Sequence, residues 1–192
     1  MTRILAFAGS ARKGSFNRQL VKIAATAAEA AGANVTVIDL ADFPMPLFDQ
    51  DLEAAQGMPA PAREFKNLLI EHDGFLIASP EYNSTLSPLL KNAIDWASRS
   101  EAEGETPLVA YAGKFAGIMA ASPGALGGLR GLVGLRMLLG NIGVTVLPEQ
   151  LAVPQAHNAF ADDGSLVDPQ QHQAVTNISG RLVEMIGRLK DA

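Results

Sequence analysis

Ile4-Leu5-Ala6-Phe7-Ala8, followed without a break by Gly9-Ser10-Ala11-Arg12-Lys13-Gly14-Ser15-Phe16-Asn17, decides the fold. The first five residues are uniformly apolar, as a strand buried on both faces of a parallel sheet must be. A turn rich in glycine and serine comes next. From Asn17 to Ala31 the residues Leu20, Val21, Ile23, Ala24, Ala27 and Ala28 lie along one helical stripe, and Gly32 supplies a C-terminal stop. Strand, turn and helix in that order open an α/β domain whose ligand sits beyond the strand's carboxyl end.

Outward from this unit, short apolar runs alternate with helix-period segments. Val35–Asp39, Gly74–Ser79, Phe115–Ala121 and Gly143–Leu147 predict four further strands. Ala62–Glu71, Pro88–Ala97, Leu126–Leu139 and Gln170–Leu189 predict four further helices, with Pro88 suited to a first helical turn and Gly140 to a stop. Right-handed crossovers then place helices on both faces of one doubly wound sheet, in one domain spanning residues 1–192. Leu40 to Pro61 is long for a connection and carries Phe43, Pro44, Met45, Pro46, Leu47 and Phe48. Those side chains call for burial, against this chain or against a second subunit.

The composition narrows the chemistry. The 192 residues carry a net charge of −5, which argues against a nucleic-acid partner. There is no cysteine, so thiolate catalysis, disulfides and cysteine-ligated metal are excluded, and redox work requires a borrowed cofactor. His72, His157 and His172 show no ligand spacing, and Asp162-Asp163-Gly164 lacks the alternating ligands of a calcium loop. No stretch reads as a targeting or membrane segment, so a cytoplasmic location without a membrane partner is expected.

Three of the five predicted strand ends carry unusual sequence, and all three lie on one rim. In the first loop, Ser10 and Ser15 offer hydroxyls, Arg12 a guanidinium, and Asn17 opens a helix whose free N–H groups attract an anion. A phosphate dianion satisfies that set, although neither the Walker A pattern nor G-x-G-x-x-G is present. In the second, Ser79-Pro80-Glu81-Tyr82-Asn83, the main chain of residues 81–83 can pair with a heterocycle edge and Tyr82 can lie against a ring; equally, Pro80 and Asn83 can simply shape a turn. In the third, Ser122-Pro123-Gly124-Ala125-Leu126-Gly127-Gly128, the glycines allow close approach of backbone to a ligand. Together the loops describe a mononucleotide lying across the switch point.

These residues resemble the NAD(P)H-dependent FMN reductase family, which includes bacterial quinone and chromate reductases and related azoreductases. The resemblance rests on Gly9-Ser10-x-Arg12-x-x-Ser15-x-Asn17, on Ser79-Pro80-Glu81-Tyr82-Asn83 with Leu90-Lys91-Asn92-x-x-Asp95-Trp96, and on Ser122-Pro123-Gly124-x-x-Gly127-Gly128, in the family's order over nearly the whole chain. It implies a flavodoxin-like three-layer sandwich with a five-stranded parallel sheet in the order 2-1-3-4-5. It also implies bound FMN, NADPH or NADH as co-substrate, and a homodimer or homotetramer in which the loop matching Leu40–Pro61 approaches the partner's flavin. Carried over by position, Ser10, Arg12, Ser15, Phe16 and Asn17 would grip the phosphate and ribityl end. Pro80, Glu81, Tyr82 and Asn83 would frame the ring system, and Ser122, Gly124 and Gly127 would line its other side.

The implied activity is ping-pong electron transfer from NAD(P)H through FMN to a small acceptor: a quinone, a flavin, an azo compound or chromate. Such a reaction asks for no catalytic side chain. Asn92 and Asp95 read as residues that hold the preceding loop, and the Lys91/Asp95 pair has the less favourable i,i+4 order. Two rivals share the sheet. A flavodoxin-type electron carrier would bind FMN without turning over NAD(P)H, although Arg12 fits the reductase pattern better. A non-redox phosphometabolite-binding or hydrolytic domain would bind no flavin.

Overall fold

The computed structural model describes residues 1–190. Strand β1 (Arg3–Ala8) lies inside a parallel sheet, between the edge strand β2 (Asn34–Asp39) and β3 (Gly74–Ala78). A short antiparallel hairpin, β4 (Glu81–Tyr82) with β5 (Thr85–Leu86), stands outside that sheet. β6 (Phe115–Ala121) and β7 (Thr145–Val153) complete it, giving the order β2-β1-β3-β6-β7. Counting sheet strands alone this is 2-1-3-4-5, as expected for a flavodoxin-like fold.

Residues 4–8 of β1 are all buried, and their alternation divides the core in two. Ile4, Ala6 and Ala8 meet α1 (Phe16–Ala30) and α6 (Pro169–Lys190), whereas Leu5 and Phe7 meet α3 (Ala60–Glu71), α4 (Pro88–Ala97) and α5 (Leu129–Asn141). Ser15 caps α1 by accepting from the Arg18 N–H, and the helix ends where Gly32 turns left-handed at φ +92°. Among the described residues no helix is long and apolar enough to cross a membrane.

The structure departs from the sequence expectations in three places. The last strand begins at Thr145 and runs to Val153, beyond the expected Leu147. Two extra residues are absorbed between the Ala116–Val146 and Ile118–Gln150 pairs, a bulge that admits Pro148 on this edge strand. Arg136 of α5 stabilises the bulge by donating to the Leu147 carbonyl at 2.6 Å and to Gln150 Oε1 at 3.0 Å. Helix α5 begins at Leu129, not Leu126, because Gly127 and Gly128 both sit at positive φ, and it passes Gly140 to end at Asn141.

The third departure is the Leu40–Pro61 connection. It contains a 3₁₀ turn (Leu40–Asp42) and helix α2 (Gln50–Gln56), whose first N–H groups bond the Asp49 carboxylate. Met45, Phe48 and Leu52 pack with Met58, Ala62 and Trp96 and are partly buried within this chain, whereas Pro44, Pro46 and Leu47 are exposed, Leu47 to 77%. Trp96 Nε1 donates to the Pro46 carbonyl at 2.8 Å. Asn92 donates to the same carbonyl and accepts from the Phe48 N–H, so it secures this segment and not the loop that precedes its own helix. Asp95 is occupied by Lys91 at 2.5 Å.

Candidate active site

The first rim loop is anchored from both sides. Gly9 N–H donates to the Ala78 carbonyl, and the Gly9 carbonyl accepts from the Ser87 hydroxyl at 2.5 Å. Ser87 also caps α4 through the Leu90 N–H, and a Cβ at Gly9 would stand 3.0 Å from the Leu90 side chain. The loop therefore leaves the sheet in one direction, with Ser10, Ser15 and Asn17 buried and Arg12 exposed.

Asn17 ties this loop to the third. Its Nδ2 donates to the Ala121 carbonyl at 2.8 Å and its Oδ1 accepts from the Ala121 N–H at 2.9 Å. One amide N–H and one lone pair of Oδ1 are spent on Ala121, which leaves the second amide N–H and the main chain to offer a ligand. The Ser10 hydroxyl has no hydrogen-bond partner among the described residues, and Arg12 makes no ion pair there. The Arg12 guanidinium lies over the Phe16 ring, 5.3 Å from its centre.

The second loop is a hairpin whose turn residues Asn83 and Ser84 sit at φ 50° and 69°. Two consecutive left-handed residues fit a tight two-residue hairpin loop. Tyr82 is 51% exposed at the rim. The Glu81 carboxylate lies on the N-terminus of α5. There it accepts from the Arg130 N–H at 3.0 Å, the Gly131 N–H at 3.2 Å and the Arg130 guanidinium. Burial pushes this carboxyl up, but the hydrogen bonds from Arg130 and Gly131 and the Arg130 charge outweigh it and hold it below the usual carboxylate range.

The third loop is laced to the chain after β7. Ser122 N–H bonds the Val153 carbonyl, Ala156 N–H bonds the Ser122 carbonyl, and Gln155 N–H bonds the Gly124 carbonyl. A Cβ on Gly127 would fall 2.6 Å from the Val153 carbonyl carbon, so this glycine serves the packing of loop against backbone.

The three loops enclose a cleft of about 320 Å³. Ser10, Arg12, Ser15, Phe16, Asn17, Pro80, Glu81, Tyr82 and Ser122 line it, together with Ala121 and Pro123, which the sequence reading did not single out. Asn83, Gly124 and Gly127 are outside the lining. Phe160 is a further omission: its ring stacks on Phe16, centres 6.1 Å apart and planes 5° from parallel. No motif or periodicity marks it. A larger groove of about 740 Å³ between α1 and α6 mixes Lys22 and His172 with Asp162 and Asp163, and so selects no charge.

The cleft's donors suit a phosphate dianion: a guanidinium without an ion-pair partner among the described residues, the Ser10 hydroxyl and the first N–H groups of α1, which have no carbonyl of their own helix to bond. Residues 2–158 match the NADPH-dependent FMN reductase family. The chain belongs to that family. It is similar to the NAD(P)H-dependent FMN reductase of Pseudomonas aeruginosa, with 31% identity over 98% of this chain and 97% of the relative. It is also similar to the quinone reductase of Escherichia coli K12, with 31% identity over the same shares. Among solved structures, the flavoenzyme NAD(P)H:(acceptor) oxidoreductase FerB of Paracoccus denitrificans superimposes with a TM-score of 0.81, 27% identity and 98% coverage of both chains. As a member of the FMN reductase family, this protein is an FMN-binding oxidoreductase that uses NAD(P)H.

Proposed function

We propose that residues 1–192 act as one domain that reduces small acceptors, quinones foremost, at the expense of NADPH or NADH by a ping-pong cycle. The net reaction is NAD(P)H + H⁺ + quinone giving NAD(P)⁺ + quinol. The observation that carries this reading is the meeting of three strand-end loops in one cleft whose only cation, Arg12, has no carboxylate partner among the described residues.

FMN, when bound, supplies the two-electron redox chemistry. The protein's residues bind and orient. Ser10, Ser15, Arg12 and the N-terminal N–H groups of α1 hold the phosphate. The main chain of residues 81–83 and the Tyr82 ring face the flavin's ring system, and Ser122 with Pro123 forms the opposite wall. Glu81 and Asn17 serve by keeping the three loops in register with one another.

We place the enzyme in the cytoplasm as a homodimer or homotetramer. Support for assembly comes from α5, where Leu129, Val133 and Met137 recur at i, i+4 and i+8 and are 43%, 65% and 67% exposed.

Anaerobic titration of the flavin-loaded protein with NADPH and NADH tests the function. At least one nicotinamide should bleach the flavin absorbance, and a quinone should restore it. A flavin that neither nicotinamide reduces would instead identify an electron carrier. Arg12→Ala should weaken FMN binding by about 10- to 100-fold, the loss of a charged hydrogen bond of ~1.5–3 kcal/mol. Equilibrium dialysis measures this, and an unchanged FMN affinity would remove Arg12 from the phosphate site.

A further inference from the structure

We propose that Phe160 is a positioning residue for Arg12, acting through Phe16, and that it thereby sets the preference of the cleft for a phosphorylated flavin over an unphosphorylated one. This deepens, and rests on, the reading of the cleft as an FMN site.

Arg12 occupies an exposed turn, where a long side chain ordinarily samples many rotamers. Here its guanidinium lies over the Phe16 ring at 5.3 Å, and the same ring is stacked almost parallel on Phe160, centres 6.1 Å apart. A guanidinium held on an aromatic face keeps its N–H donors unspent, and part of the rotamer freedom that an arriving anion would have to remove is already lost. The stack thus prepares the one cation of the cleft before the ligand arrives.

Phe160 itself is delivered by a closed turn. It bridges to Leu166, Val167 N–H bonds the Ala159 carbonyl at 3.0 Å, and Ala161 N–H bonds the Ser165 carbonyl at 2.9 Å. Leu166 is buried in the core shared by α1 and α6, so the turn is fixed to the sheet's own packing. Phe160 also lies outside residues 2–158, the span that matches the family. Its contribution therefore belongs to this chain's C-terminal part and not to the shared loop motifs.

A residue that merely filled the core would affect every flavin alike. The test compares FMN with riboflavin in equilibrium dialysis of the flavin-stripped protein, using Phe160→Ala, Phe160→Leu and Phe160→Tyr. We expect the dissociation constant for FMN to rise about threefold to tenfold in the alanine and leucine variants, with that for riboflavin unchanged and the tyrosine variant near the parent. If the alanine variant fails to fold, the leucine variant, which keeps the apolar volume, decides. Equal weakening of both flavins, or unaltered FMN binding, would overturn the proposal while leaving the cleft's assignment intact. A parent protein that binds riboflavin as tightly as FMN would overturn the phosphate reading, and this proposal with it.

Discussion

Changing Asn17 to aspartate, which alters almost no volume, should destabilise the protein by about 3–5 kcal/mol at neutral pH. Asn17 is 3% exposed, and its amide both gives to and takes from the Ala121 main chain. Aspartate keeps the acceptor but replaces the donor with a charged oxygen facing the Ala121 carbonyl. A buried charge without a partner is the costly case, and the N-terminal dipole of α1 offsets only part of it. The new negative charge also stands beside the anion site, so FMN binding should fall in parallel. The effect has a pH signature. A carboxyl placed here has its pKa raised above the unfolded value of about 3.9, because its protonated form can donate to the Ala121 carbonyl again. The penalty is therefore full above the raised pKa and disappears as pH falls towards the unfolded one. Urea unfolding at pH 7.5 and pH 5 reads this directly: the gap to the parent should narrow at pH 5. A gap of the same size at both values would show that the amide's donor is not what matters.

Gly127→Ala should cost about 2–6 kcal/mol, combining left-handed strain with overpacking. Gly127 sits at φ +62°, and an added Cβ would meet Val153, Pro154 and Ala152 main-chain atoms at 2.6–2.8 Å. Backbone cannot step aside as a flexible side chain can, so the third loop must lift away from the end of β7. Gly32→Ala is the matched control. Gly32 is also left-handed, at φ +92°, but nothing lies within 4 Å of its added Cβ, so it reports strain alone. Thermal unfolding of the two variants should show a larger loss for residue 127. Equal losses would mean that the third loop is not pressed against β7 in solution.

The parts of the molecule that follow from local pattern could be read from sequence, and those that depend on distant partners could not. The five strands announced themselves because a strand covered on both faces is apolar throughout, as Ile4–Ala8 and Phe75–Ala78 are. The full length of β7 is hidden in sequence because its middle, Pro148-Glu149-Gln150, breaks the apolar run and lies on an edge, where a bulge and Arg136 compensate. The start of α5 is not legible in sequence because a glycine's letter does not give its φ, and residues 127 and 128 are left-handed where they pack against the end of β7 and Ala120. At the site, residue types that suit an anion were visible on one loop. The direction of the Glu81 side chain was not, since Arg130 is remote in sequence and motif letters carry no orientation. Asn17 illustrates the same limit: an asparagine at a helix start suggests a cap, yet its partner is 104 residues away. Phe160 gave no signal because stacking partners have no characteristic spacing.

The packing of Trp96 has a practical consequence. It is the chain's only indole, fully enclosed, edge-on to Phe48 at 5.0 Å and bonded to Pro46. Its ultraviolet emission consequently reports on the seating of the strap that runs from Phe43 through α2. Water reaching the ring would redden the emission even with the sheet intact, so fluorescence and circular dichroism of this enzyme need not melt together.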